Sequence, residues 1–90
     1  MYRLFITEEY DASLERISKR DRELIEKKTE VYVFPQLKEE PHFGLNIKKL
    51  KGYVPETWRY RIGKFRLFYI ICEKELIVKL LAAEHRKDAY

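Results

Sequence analysis

Arg59, Arg61 and Arg66 fall in one short run, interleaved with Trp58, Tyr60, Phe65 and Phe68, and the chain closes on His85-Arg86-Lys87-Asp88-Ala89-Tyr90. Guanidinium groups keep their charge at ordinary pH, so they supply charge and orientation, and their planar fork fits a phosphate. An imidazole exchanges protons near neutrality, and His85 is the histidine of this stretch. Together these are the parts that cleavage of RNA through its own 2′-hydroxyl requires. One group takes the 2′-OH proton, fixed positive charge stabilises the phosphorane-like transition state, and another group protonates the departing 5′-oxygen. That route calls on no metal and no other cofactor. Arg61, Arg66, His85, Arg86 and Tyr90 are therefore candidate catalytic residues, with Lys49, Lys51, Arg59 and Lys79 as candidate RNA-binding residues. Tyr90 is suited either to stacking on a base or to proton transfer.

The elements around these residues decide whether they meet. From Trp58 the pattern has period two, with Trp58, Tyr60 and Ile62 on one face and Arg59 and Arg61 on the other. Gly63-Lys64 offers a two-residue hairpin turn with glycine first, as type II′ prefers. That turn sets Ile62 opposite Phe65, Arg61 opposite Arg66, Tyr60 opposite Leu67 and Trp58 opposite Tyr69. One face is then aromatic and aliphatic, and the other opposes two arginines. Like charges directly across a ladder repel; a bound anion resolves the conflict, as would side chains splayed into water or paired with Glu56 or Glu84. A second turn at Lys74-Glu75 pairs Ile71 with Val78, Tyr69 with Leu80 and Arg66 with Ala83. Constant alternation then adds Lys79 to the arginine face and carries it through Leu81 and Ala83 to His85, beside Arg61 and Arg66. Cys72 reads as a small packed hydrophobe, and two histidines with one cysteine show no zinc-ligand spacing.

Upstream, residues 2–6 read as a strand. Thr7 followed by Glu8 and Glu9 is a helix start, and Tyr10, Leu14 and Ile17 share one face of that helix. Ser18 with Asp21 approximates a capping box opening a second helix over residues 19–32, with Leu24, Ile25, Val31 and Tyr32 as a partial apolar stripe. Pro35 and Pro41 bracket a polar stretch, so residues 35–45 read as loop, with His42 an ordinary loop histidine. Residues 46–51, with Lys48, Lys49 and Lys51, form a turn of helix or an irregular approach to the sheet. The fold expected is a single α+β domain over residues 1–90. An N-terminal strand leads into a two-helix hairpin and then a three-stranded antiparallel meander, the helices packed on one face of the sheet.

Composition agrees with this size of domain. The 90 residues are 46% hydrophobic and 38% charged, which suits a globular chain rather than a disordered one. No run approaches the length of a membrane span, and the first residues carry no secretion signal. One cysteine fits a reducing cytoplasm. The charge is uneven: residues 1–45 carry 8 Lys+Arg against 10 Asp+Glu, whereas residues 46–90 carry 11 against 5. A basic half favours an anionic partner, nucleic acid or an acidic protein.

Lys49-Leu50-Lys51-Gly52, Trp58-Arg59-Tyr60-Arg61-Ile62-Gly63, Phe65-Arg66-Leu67-Phe68-Tyr69 and the closing His85-Arg86-Lys87-Asp88-Ala89-Tyr90 resemble the RelE/ParE toxin superfamily. The order of elements is similar too. The resemblance implies the toxin of a toxin–antitoxin pair, with a cognate antitoxin as partner. For RelE-type members it implies mRNA cleavage in the ribosomal A site without metal. By position, Arg59 and Arg61 match the paired basic residues before the hairpin turn and Arg66 the phosphate-binding arginine after it. His85 and Arg86 match the basic pair after the last strand, and Tyr90 the terminal tyrosine. In RelE the paired residues are lysines and one serves as base; arginines here shift that role to His85 or Tyr90. Residues 44–52 also lack the acid that some relatives use. Two other functions fit the same fold: a ParE-like inhibitor of DNA gyrase that cleaves nothing, and a non-catalytic RNA- or protein-binding domain in which charge and Phe68 stacking suffice.

Overall fold

The computed structural model describes residues 1–86. Strand β1 (Arg3–Ile6) is followed by helices α1 (Glu8–Glu15) and α2 (Lys19–Lys28), a π-helical turn (Thr29–Val33) and α3 (Phe34–Glu39). Strands β2 (Ile47–Lys49), β3 (Trp58–Ile62), β4 (Phe65–Cys72) and β5 (Ile77–His85) complete the order. The five strands form one sheet in the order β1-β5-β4-β3-β2. The α+β class holds, with helices on one face. The meander gains an extra edge strand, because residues 47–49 pair antiparallel with β3, and β1 closes the other edge parallel to β5.

The helix starts follow the local chemistry. Thr7 caps α1 by accepting from the Tyr10 N–H at 3.1 Å, and Ser18 caps α2 by accepting from the Asp21 N–H at 3.3 Å. The second helix does not stop before Pro35. The Phe34 N–H reaches back to the Thr29 carbonyl, and this widened turn takes up the step that a residue without an N–H imposes. Pro35 therefore lies inside the first turn of α3, and residues 35–39 are helical, not loop. The gain is apolar burial: Leu37 joins Ile25 and Val33 in the core. They meet the inward face of the sheet, Tyr60, Leu67, Tyr69, Val78 and Leu80.

The β3–β4 hairpin has the register read from the sequence: Trp58 with Tyr69, Tyr60 with Leu67, Arg61 with Arg66 and Ile62 with Phe65. Gly63 has φ +54°, the left-handed value the first turn position needs. The β4–β5 pairing begins as expected, with Ile71 on Val78 and Tyr69 on Leu80, and then slips. Phe68 pairs with Ala82, so Leu81 is a bulge, and Arg66 faces Glu84 rather than Ala83. Side chains of β5 beyond the bulge swap faces relative to constant alternation. Helix α1 holds the slip in place. Ser13, buried, accepts from the Ala83 N–H at 2.8 Å, and Thr7 donates its hydroxyl to the Leu80 carbonyl at 2.6 Å.

His42 is more than a loop residue. Its Nδ1 lies 3.2 Å from Glu40 Oε2 and its Nε2 lies 2.7 Å from Glu73 Oε2. Tyr2 donates its hydroxyl to Glu73 Oε1 at 2.7 Å, and the Trp58 ring meets the imidazole edge-on at 5.5 Å. With carboxylates on both nitrogens, the doubly protonated ring donates on both sides. Burial alone pulls the imidazole down, but the hydrogen bonds and charges of Glu73 and Glu40 outweigh it and raise His42 above 6.5. The Tyr2 and His42 hydrogen bonds hold Glu73 below 4.5. A raised histidine contributes stability below its unfolded value and loses it as pH rises through the folded one. A lowered carboxylate contributes above its unfolded value and loses it as pH falls. The cluster is thus expected to contribute most between pH 4.5 and 6.5, by a modest amount since Glu73 is exposed. Urea melts of the native chain and His42→Gln across pH 4–8 check this: a stability difference that keeps growing above pH 7 contradicts it.

Candidate functional site

The helices leave the other face of the sheet open. Alternation on β3 and β4 puts Arg59, Arg61, Arg66 and Phe68 there, and β2 contributes Lys48, which pairs with Arg59. Around the β2 edge this face hollows into a cleft of about 280 Å³. Lys48, Lys51, Arg59 and Arg66 supply its cations, with Leu50, Tyr53 and Phe68 as its apolar walls. Among the described residues, no carboxylate lines it. Arg59 Nη1 lies 3.5 Å from the Asn46 carbonyl, which anchors that side chain near the β2 edge. The Arg66 side chain is partly sunk in the sheet, with Nε buried.

The candidates of the sequence divide on this geometry. Arg59, Arg66 and Lys51 come together in the cleft. Arg61 sits opposite Arg66 in the ladder, but it opens onto a neighbouring hollow with Tyr32 and Asn46. Lys49 pairs with Trp58, on the opposite parity from Lys48, and its ammonium lies 3.4 Å from Glu56. Lys48 takes the place expected of Lys49, and the missed signal was the period of two in a strand only three residues long. Lys79 precedes the bulge, pairs with Ile70 and does not line the cleft. His85 pairs with Phe65 and meets its ring edge-on at 5.2 Å, so the histidine sits at the strand's end on the core parity and not beside Arg61 and Arg66. The bulge is the cause. The Arg86 N–H donates to the Lys64 carbonyl at 2.7 Å, which ties the end of β5 to the hairpin turn. Tyr90 lies outside the described residues. Glu84, one of the two acids considered for the arginines, faces Arg66 in the ladder, whereas Glu56 goes to Lys49.

Four cations lining one cleft repel each other at this range. Such a cluster suits an anion, and guanidinium forks with ammonium groups are the chemistry that recognises phosphate oxygens. The aromatic walls add affinity for a flat ring beside that phosphate.

Residues 4–90 match the family described as the ParE toxin of the type II toxin–antitoxin system parDE. No curated protein matches the chain in sequence. Among solved structures, the RelBE2 toxin–antitoxin complex of Mycobacterium tuberculosis is similar at 25% identity, over 94% of this chain and 98% of that one, with TM-score 0.72. The intact RelBE complex of E. coli aligns at 21% identity, over 94% and 96%, with TM-score 0.67. A metal-bound toxin from Helicobacter pylori shares the fold at 18% identity over the whole of both chains, with TM-score 0.70. The chain belongs to the ParE toxin family of type II toxin–antitoxin systems, within the RelE/ParE superfamily.

Proposed function

We propose that this toxin is a metal-independent endoribonuclease that cuts mRNA on the ribosome, in the cytoplasm, by attack of a 2′-hydroxyl on the adjacent phosphate. The observation that carries the reading is the meeting of Arg59 and Arg66 with Lys48 and Lys51 in one cleft. Arg66 and Arg59 hold the scissile phosphate and stabilise the charge that grows on it. Arg61 and Arg86 extend the positive field. The register turns His85 toward Phe65, so the proton step is assigned first to Tyr90. A cognate antitoxin is the protein partner assigned to the chain; the similar solved structures include toxin–antitoxin complexes.

One observation favours a second reading. With His85 off the arginine face, the described part of that face is basic without a histidine, and a ParE-like inhibitor of DNA gyrase that cleaves nothing needs no titrating group there. Expression with and without the antitoxin, with 5′ ends of cellular mRNA mapped and plasmid supercoiling measured, separates the two. New 5′ ends inside coding sequence support the nuclease; toxicity with intact mRNA and altered supercoiling supports gyrase; no toxicity in a translating cell supports a non-catalytic binding domain.

The parity of β2 gives a sharper test of the surface itself. Lys48→Ala is expected to weaken binding of single-stranded RNA several-fold and to flatten its salt dependence by about one charge. Lys49→Ala is expected to leave both unchanged, since Lys49 faces away and pairs with Glu56. Fluorescence anisotropy over a salt series reads both, and equal effects from the two lysines would contradict the register.

A further inference from the structure

We propose that Tyr53 and Phe68 form a stacking slot in the basic cleft, which takes one nucleobase of single-stranded RNA next to the phosphate held by Arg59 and Arg66. The proposal rests on the RNA reading above and names how the same site grips its substrate. Both rings line the cleft that holds the cations. Phe68 lies on the open sheet face, half-buried, between Arg59 on β3 and Ala82 on β5. The bulge is what places an alanine beside it, and a methyl group leaves the flank of the ring uncovered. A phenylalanine in the middle of a face that no helix covers, with a guanidinium as one neighbour, contributes little to the core; the inward face holds the large apolar side chains.

Tyr53 approaches from the other side. It follows Gly52, whose φ of +80° turns the chain out of β2, and its side chain is 53% exposed. Among the described residues, the ring pairs in contact involve His42 or His85 and neither of these two aromatics. Two aromatic surfaces thus border one hollow without closing on each other. The cleft of about 280 Å³ sits just below the roughly 300–1,000 Å³ of sites for drug-sized ligands, a size for one flat ring with its phosphate rather than for a duplex. Stacking accepts any base, since every base has a π-face. The slot therefore fixes where the strand sits on the cations rather than which sequence is chosen.

The test uses the full chain and a fluorescein-labelled 2′-O-methyl hexanucleotide, which cannot be cut because its 2′-oxygens are blocked. Companion probes carry one abasic position each. Tyr53→Ala and Phe68→Ala are each expected to weaken binding roughly 5- to 100-fold, and Tyr53→Phe to bind like the native chain. One abasic position should weaken the native chain more than it weakens Tyr53→Ala, in which only Phe68 is left to stack. The salt slope should stay native in Tyr53→Ala and fall in Arg59→Gln and Arg66→Gln. Tyr53 is exposed in a loop, so its substitution tests the slot even if Phe68→Ala folds poorly. Native-like affinity in Tyr53→Ala, or a loss equal for intact and all abasic probes, overturns the slot. If the arginine variants weaken binding in that case, the RNA reading stands without it. If the arginine variants also bind like the native chain, the RNA reading itself fails.

Discussion

On the nuclease reading, replacing Arg66 with alanine is expected to lower the rate of mRNA cleavage by roughly 10²–10³-fold while leaving the fold intact. The scale is that of removing one preorganised donor from a site where negative charge develops. Arg66 earns this place by geometry: it lies at the centre of the open face, opposite Arg61 on one side and Glu84 on the other, with Nε buried. On the nuclease reading, a guanidinium with a buried Nε has little freedom to reorganise as the phosphate changes shape, so its stabilisation would fall mostly on the transition state. The loss should therefore fall on kcat more than on KM. Arg66→Lys is expected to recover only part of it, because an ammonium cannot offer two parallel donors. His85→Ala is expected to cost less than tenfold, since the bulge turns that ring toward Phe65; a general acid or base at that position would cost about 10²–10⁴-fold. Single-turnover cleavage of mRNA on purified ribosomes measures all three. Full activity in Arg66→Ala sinks the site, and a His85→Ala loss as deep as that of Arg66→Ala restores the histidine as the proton carrier.

That contrast shows what was legible from residues alone. The Gly63-Lys64 turn fixed the register of β3 on β4 to the residue, because a two-residue turn with glycine first leaves little choice and an alternating apolar face confirms it. It therefore delivered Arg61 opposite Arg66. Constant alternation along β5 then failed at Leu80-Leu81, where two adjacent apolar residues carry no sign of which one is unpaired. The choice is made by helix α1, through Ser13 on the Ala83 N–H and Thr7 on Leu80, and such contacts between elements distant in sequence have no local pattern. One inserted residue moved His85 off the arginine face. The same logic explains Lys48 and Lys49: β2 is too short for a period to be seen, and pairing with β3 decides which lysine faces the cleft. Pro35 misled for a different reason. A proline usually marks a boundary, but a π-helical turn lets the helix run through it when burial of Leu37 rewards the continuation. The open face is thus readable wherever a turn sets the register, and unreadable past a bulge that tertiary contacts impose.

The sheet that carries this face is held from below, and Leu67→Ala is expected to remove about 2–5 kcal/mol of folding stability. Leu67 is fully buried, paired with Tyr60 on one side and Ala83 on the other. Ala83 is already small and pinned through its N–H to Ser13, so it cannot move in to fill the space. Tyr60 is held by its hydroxyl, which donates to Gln36 at 2.7 Å, and Tyr69, two residues along the same face, is tied to the Pro41 carbonyl at 2.8 Å. With its neighbours fixed, the cavity stays open and the loss falls toward the upper end of the range. For a domain of this size the shift in Tm is on the order of 10–30 °C, out of a total stability of roughly 5–15 kcal/mol. Because Arg66 and Phe68 flank Leu67 on β4 and face the other way, the variant also tests whether the two faces are separable. At a temperature where Leu67→Ala is still folded, RNA affinity is expected to match the native chain. A Tm within about 3 °C of native would place Leu67 outside the core, and a loss of RNA affinity in the folded variant would mean that packing beneath the sheet sets the positions of the arginines above it.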